Sequence, residues 1–85
     1  MSKYKMGIRI MPRTEVLDTQ GRAVQMTVSN IGYSVSECRV GRYVMLELEA
    51  KTPAEAESQA KKISEDVLCN MLIETYKIDS VEGRP

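Results

Sequence analysis

The start of the chain alternates strictly in polarity over residues 3–11, and this constrains the fold more than any other feature. Tyr4, Met6, Ile8 and Ile10 fall on one side, with Lys3, Lys5 and Arg9 on the other. A period of two over this length marks a half-buried strand. Pro12 has no N–H to give to a ladder and ends it. One face of a sheet built on such a strand needs an apolar cover, and the rest of the chain supplies it.

Asp18 is placed to accept hydrogen bonds from the free N–H groups of a helix start. Beyond it Ala23, Val24, Thr27, Val28 and Ile31 recur every three or four residues, opposite Arg22, Gln25, Ser29 and Asn30. Gly32 suits the left-handed residue that closes a helix, so a helix is predicted over 19–31. Two strands are predicted next. Residues 35–40 set Ser36, Cys38 and Val40 against Glu37 and Arg39. Residues 43–49 set Val44, Leu46 and Leu48 against Met45, Glu47 and Glu49. Gly41 and Arg42 between them predict a tight hairpin.

Thr52-Pro53-Ala54-Glu55 has the pattern of a capping box with proline at the first helical position. The helix it opens is predicted to run to about Asn70, with the stripe Ala56, Ala60, Ile63, Val67 and Met71. Glu57 and Lys61, and Lys61 and Glu65, stand four apart and favour the helix. A last strand over 73–81 turns Tyr76 and Ile78 inward.

The resulting order is β-α-β-β-α-β. It predicts an α+β two-layer sandwich: a four-stranded, mainly antiparallel sheet with both helices on one face. Residues 1–82 form the single domain and 83–85 a frayed tail. The uncovered sheet face would carry Lys5, Arg9, Glu37, Arg39, Glu47 and Lys77, with Met11, Tyr43 and Met45. That mixture reads as a partner surface.

The composition removes most chemistry. At 85 residues the chain is one domain, and a domain of this size gains from having a partner cover it. Phe and Trp are absent, so the core is aliphatic. Twelve Lys plus Arg balance twelve Asp plus Glu, so no net field attracts nucleic acid or an anionic membrane. No segment approaches the roughly twenty apolar residues of a membrane span, and the N-terminus lacks a signal-peptide core. A cytoplasmic protein is expected.

There is no histidine, so a metal site would lack its commonest ligand. Cys38 and Cys69, far apart and outside any CxxC, read as reduced thiols. No serine sits in a nucleophile elbow. Glu65 and Asp66 diverge by about 100° on a helix, and Glu47 and Glu49 are explained by solvated ion pairs. Gly21-Arg22 falls short of a phosphate-binding loop. An RNA-recognition domain shares the element order but stacks bases on aromatics of its central strands, where only Tyr43 is available. No catalytic residue and no metal ligand is assigned, and no nucleic-acid or membrane partner is expected.

Three segments carry a family resemblance. Val16-Leu17-Asp18-Thr19-Gln20-Gly21-Arg22-Ala23-Val24 resembles the V-L-D-P-Q-G-x-A-V signature of PurS, the small subunit of bacterial and archaeal phosphoribosylformylglycinamidine (FGAM) synthase. Cys38-Arg39-Val40-Gly41-Arg42-Tyr43 is similar to the family's V-R-x-G-K-x hairpin. Val67-Leu68-Cys69-Asn70-Met71-Leu72-Ile73-Glu74-Thr75-Tyr76 is similar to its L-L-x-N-P-V-I-E-x-Y end. Thr19 and Met71 replace prolines and Arg42 replaces lysine, which keeps the charge at 42 and leaves the turn at 71 less rigid.

The resemblance implies a non-catalytic structural subunit in de novo purine biosynthesis. The synthase converts formylglycinamide ribonucleotide, ATP and glutamine to formylglycinamidine ribonucleotide, ADP, phosphate and glutamate. It is an ATP-dependent carbon–nitrogen ligase with glutamine as amido donor. The glutaminase PurQ releases ammonia and the synthetase PurL uses it, with ATP and Mg²⁺ held in PurL and no cofactor in this chain. The implied assembly is a homodimer, with a tetramer as the open alternative, that bridges the two. Partner-contact candidates are Asp18, Gln20, Gly21, Arg39, Gly41, Arg42, Asn70 and Glu74. The competing reading is a small dimeric regulatory domain that binds an amino acid or nucleotide.

Overall fold

The computed structural model describes residues 2–84, with side chains described up to Asp79. Its elements are β1 (Ser2–Pro12), α1 (Thr19–Asn30), β2 (Arg42–Ala50), α2 (Pro53–Ile63) and β3 (Glu74–Arg84). A single π-helical turn, Ser64–Leu68, extends α2. The strand order is β2-β1-β3, and both pairings are antiparallel. The α+β class holds, with three strands where four were expected.

The alternation in β1 does what its period demands. As the central strand it turns Tyr4, Met6, Ile8 and Ile10 inward, all buried. Val44, Leu46 and Leu48 from β2 and Tyr76 and Ile78 from β3 pack around them. Ala56 and Ala60 of α2, fully buried, cover this face. Small side chains there let the helix approach the sheet closely. Thr52 caps α2 as its sequence predicts, its hydroxyl accepting from the Glu55 N–H at 3.1 Å.

The stripe of α2 departs from expectation after Ala60. In the π turn the Cys69 N–H reaches back to the Ser64 carbonyl at 2.9 Å. Ser64 is buried, its hydroxyl donating to the Ala60 carbonyl at 2.7 Å. Wider turns advance each residue by less than an α-helical step. Cys69 therefore arrives inside, while Val67 is left 76% exposed. Met71 lies beyond the helix in a turn.

Residues 35–40 form no strand. Their polar groups are engaged by side chains instead of a ladder. Gln25 donates to the Val35 carbonyl at 2.9 Å, and the Val40 N–H donates to Asp18 at 2.8 Å. Without that strand to reverse the chain, there is no β-hairpin at Gly41-Arg42. β2 instead returns directly beside β1, from Ile10 opposite Arg42 to Ser2 opposite Ala50. Glu37 and Arg39 consequently lie off the sheet. Its open face keeps Arg9, paired with Asp79, and the exposed Tyr43 and Met45. Asp79 is skipped in the register between Gly7 opposite Ser80 and Ile8 opposite Ile78, a β-bulge in β3.

The second correction concerns α1, which does not share the sheet face with α2. Only Gly21 of its residues is buried. Residues 13–41, with α1 at their centre, form an arm projecting from the end of the sheet. The molecule measures 51 × 26 × 14 Å, with a radius of gyration of 16.3 Å against about 12 Å for a compact chain of this length. At the other end β3 continues to Arg84, so Gly83 and Arg84, expected to fray, pair with Tyr4 and Lys3. Pro85 lies outside the described residues, as does Met1.

Candidate functional site

All eight candidate residues gather where the arm joins the head. The exit of β1, the start of α1, the entry to β2 and the turn before β3 meet at this root. Asp18 ties two of them together. One carboxylate oxygen accepts from the Gly21 N–H and the other from the Val40 N–H, each at 2.8 Å. These two N–H groups, the Gly21 one foremost, hold the Asp18 carboxyl below its ordinary pKa.

The two glycines are fixed by close approach. A Cβ on Gly21 would strike the Cys38 carbonyl oxygen and the Asp18 carboxylate. A Cβ on Gly41 would strike the Ile10 carbonyl oxygen and the Met11 sulfur. Glycine thus lets segment 38–41 pass directly against both α1 and β1.

Arg39 donates from Nη2 to the Pro12 carbonyl at 2.7 Å and the Arg13 carbonyl at 2.8 Å. Those carbonyls lie at the exit of β1, where strand pairing gives out. Arg42 donates to both oxygens of Glu74, at 2.7 and 2.8 Å, and to the Leu68 carbonyl at 3.0 Å. Glu74 also accepts from the Asn70 N–H at 2.8 Å. The Asn70 N–H, then Arg42, keep the Glu74 carboxyl ionised below its usual range. The Asn70 carbonyl accepts from the N–H groups of Ile73 and Glu74. Of the six candidates that are not glycine, only Gln20 makes no such tie, and it stands exposed.

Arg13 was not anticipated. Its guanidinium donates to the Met71 carbonyl at 3.1 and 2.8 Å, and its N–H to the Ile73 carbonyl at 2.8 Å. A lone arginine after Pro12 carries no local signal of that bond across 58 residues. The apolar run Met71-Leu72-Ile73 was also undervalued. Leu72 is 87% and Leu17 66% exposed, although the backbone around Leu72 is held by Arg13 and Asn70. Apolar side chains on a fixed turn are preorganised for contact.

Between the root and the arm lies a cleft of about 250 Å³ lined by Val16, Leu17, Gln20, Arg42, Ile73 and Glu74, among others. It is smaller than the roughly 300–1,000 Å³ of small-molecule sites. Among the described residues no group of three His, Cys, Asp or Glu could hold a metal ion. Cys38 and Cys69 are both free thiols. Burial, with the Glu74 charge second, pushes the Cys69 thiol up. Beside it the Tyr76 hydroxyl donates to Glu65 and its pKa is pushed up to about 12. No described helix is long and apolar enough to cross a membrane. The root is a joint built from internal polar bonds, with an apolar rim facing outward.

Comparison with known proteins agrees with the motifs that meet at this joint. A PurS subunit from a Synechocystis species is 39% identical over 83 residues, covering 94% of this chain and 83% of the relative. The structure of Thermus thermophilus PurS superposes with a TM-score of 0.87 at 31% identity, over 98% of this chain and 99% of that one. A chain in the structure of PurLQS from Thermotoga maritima superposes with a TM-score of 0.86 at 29% identity, over 93% and 98% of the two chains. The family model for PurS, phosphoribosylformylglycinamidine (FGAM) synthase, matches residues 5–82, and the chain belongs to that family.

Proposed function

We propose that this chain is the non-catalytic structural subunit of FGAM synthase and holds PurL and PurQ in the register that ammonia transfer requires. The observation that carries this reading is the near-complete match to PurS, including the likeness to a chain of a PurLQS assembly. Ammonia released at one active site escapes into solvent unless the second site is held against it. A protein that fixes the two sites contributes to the rate without a reactive side chain.

The root suits such a role. Asp18, Arg39, Arg42, Asn70 and Glu74 direct their polar groups to their own chain, and Gly21 and Gly41 permit its close approaches. Their function is to set where the contact surface stands. Contact itself falls to Gln20 and the apolar rim of Leu17, Leu72 and Ile73. The working unit is a homodimer, with a tetramer as the alternative, in the cytoplasm. ATP and Mg²⁺ act in PurL, and this chain carries no cofactor.

The test is gel filtration of this chain with PurL and PurQ under turnover conditions, with glutamine and Mg-ATP present. Co-elution of all three is expected. Elution of this chain apart from both would contradict the reading.

A further inference from the structure

We infer that the end of α2 is a two-register element: the π turn at Ser64–Leu68 exchanges with a regular α-helical turn that puts Val67 into the core and Cys69 out of it. This goes beyond the subunit reading and does not depend on it.

The first observation is that the sequence and the structure choose different registers. An α-helix turns by about 100° per residue, so a regular continuation from Ala60 would bring Val67 to within about 20° of it and Cys69 to about 180° away. Ala60 is fully buried. The α register therefore buries the valine and exposes the thiol. The π turn does the reverse, with Val67 76% and Cys69 7% exposed. Local pattern and observed packing disagree at this one turn, and such conflicts mark places with competing states.

The second observation is what each register has in its favour. The π register rests on polar ties. The Cys69 N–H donates to the Ser64 carbonyl, Arg42 donates to the Leu68 carbonyl, and the Asn70 N–H donates to Glu74. Arg42 and Asn70 are exposed, so water competes for their bonds and little is lost when they open. The α register gains the burial of Val67 instead. Ser64 serves both, because its hydroxyl satisfies the Ala60 carbonyl one turn earlier.

The third is position. The turn leads straight into Met71-Leu72-Ile73. In the α register the Cys69 N–H would bond to the Glu65 carbonyl, the ties of Leu68 and Asn70 would release, and the apolar rim would swing with the helix end. Wide turns of this kind recur at functional sites, and packed elements shift between discrete arrangements. That the shift withdraws a contact surface rests on the role given to the rim above; the exchange itself does not.

The test uses the chain alone, so its failure leaves the subunit reading standing. Alkylation of Cys69 by iodoacetamide is timed in low urea, with peptide mass spectrometry to locate the label. Amide exchange at Ile8 reports global opening, and half-buried Cys38 reports the reagent. Wild-type Cys69 is expected to react at least about tenfold faster than global opening allows, nearly independent of urea, because the exchange exposes little new surface. Val67→Asp leaves the π register as it is but would bury a carboxylate in the α register, so it should slow Cys69 about tenfold or more. Deletion of Asp66 removes the extra residue of the wide turn, and Cys69 should then react only through global opening. Should that deletion fail to fold, the Val67→Asp comparison decides alone. A wild-type Cys69 that reacts only through global opening would overturn the inference. So would an unchanged or faster rate in Val67→Asp, the result of simple fraying, or rapid reaction in a folded deletion variant.

Discussion

β1 and α1 are nearly equal in length, 11 and 12 residues, and meet opposite fates. β1 lies between two strands and under α2, and four of its large side chains are buried. α1 buries a single glycine, half-buries Val28 and leaves Val24 and Met26 exposed. The head is stabilised from within. The arm is held at one end, by Asp18, Gly21 and segment 38–41, and is otherwise unsupported. The division teaches that local periodicity announces an apolar face equally in both elements but does not say which molecule will cover it.

The largest expected effect breaks the head. Ile8→Ala should cost about 2–5 kcal/mol in urea unfolding, because Ile8 is fully buried in the central strand. Val24→Ala, measured on the dissociated chain, should cost less than about 0.5 kcal/mol. Similar losses at the two sites would remove the distinction between the regions. The next effect is at the joint. Gly21→Ala forces a Cβ onto the Cys38 carbonyl, so it should displace α1 and abolish co-elution with PurL and PurQ while the head unfolds near its normal midpoint. A variant that assembles normally would show that arm placement is unimportant.

Smaller still is Arg42→Ala, which removes the ties to Glu74 and the Leu68 carbonyl. This half-exposed pair should be worth about 1 kcal/mol, read by thermal unfolding, and Arg42→Lys should recover part of it. Acid should act on the same joint. Asp18 and Glu74 both have carboxyls lowered from ordinary values of 3.8 and 4.5. Their contribution is complete above those values and is lost as pH falls through the lowered ones. Sedimentation and circular dichroism should therefore change little between neutrality and about pH 5, then shift toward a looser arm in stronger acid. The smallest effect is at Arg9, whose pair with Asp79 lies on the open sheet face. Arg9→Ala should move Tm by no more than roughly 2 °C.

Much of this was legible in the sequence, for reasons tied to particular residues. The alternation through Ile10, the Thr52 cap and the Asp18 cap are local devices, and each acts as its spacing dictates. Residues 35–40 alternate too, yet one face offers only Val40 as a strong hydrophobe among Ser36 and Cys38. Asp18 and Gln25 then take up backbone groups a strand would have needed. The π turn was hidden because one wider turn leaves no mark in the spacing of Ile63, Val67 and Met71, although it moves the inward face to Ser64 and Cys69. The candidate site was found as a set of motifs, and the fold does bring those motifs together. Their roles were not legible, because whether Arg39 or Arg42 reaches a partner or its own backbone depends on segments up to 32 residues away.

The most direct measurement is the rate at which purified PurL and PurQ make FGAM from glutamine with and without this chain, alongside the rate with free ammonia. If the chain serves by holding two sites together, omitting it should collapse the glutamine-dependent rate and leave the ammonia-dependent rate of PurL nearly intact. An undiminished glutamine-dependent rate in its absence would contradict the account, as would turnover by this chain alone.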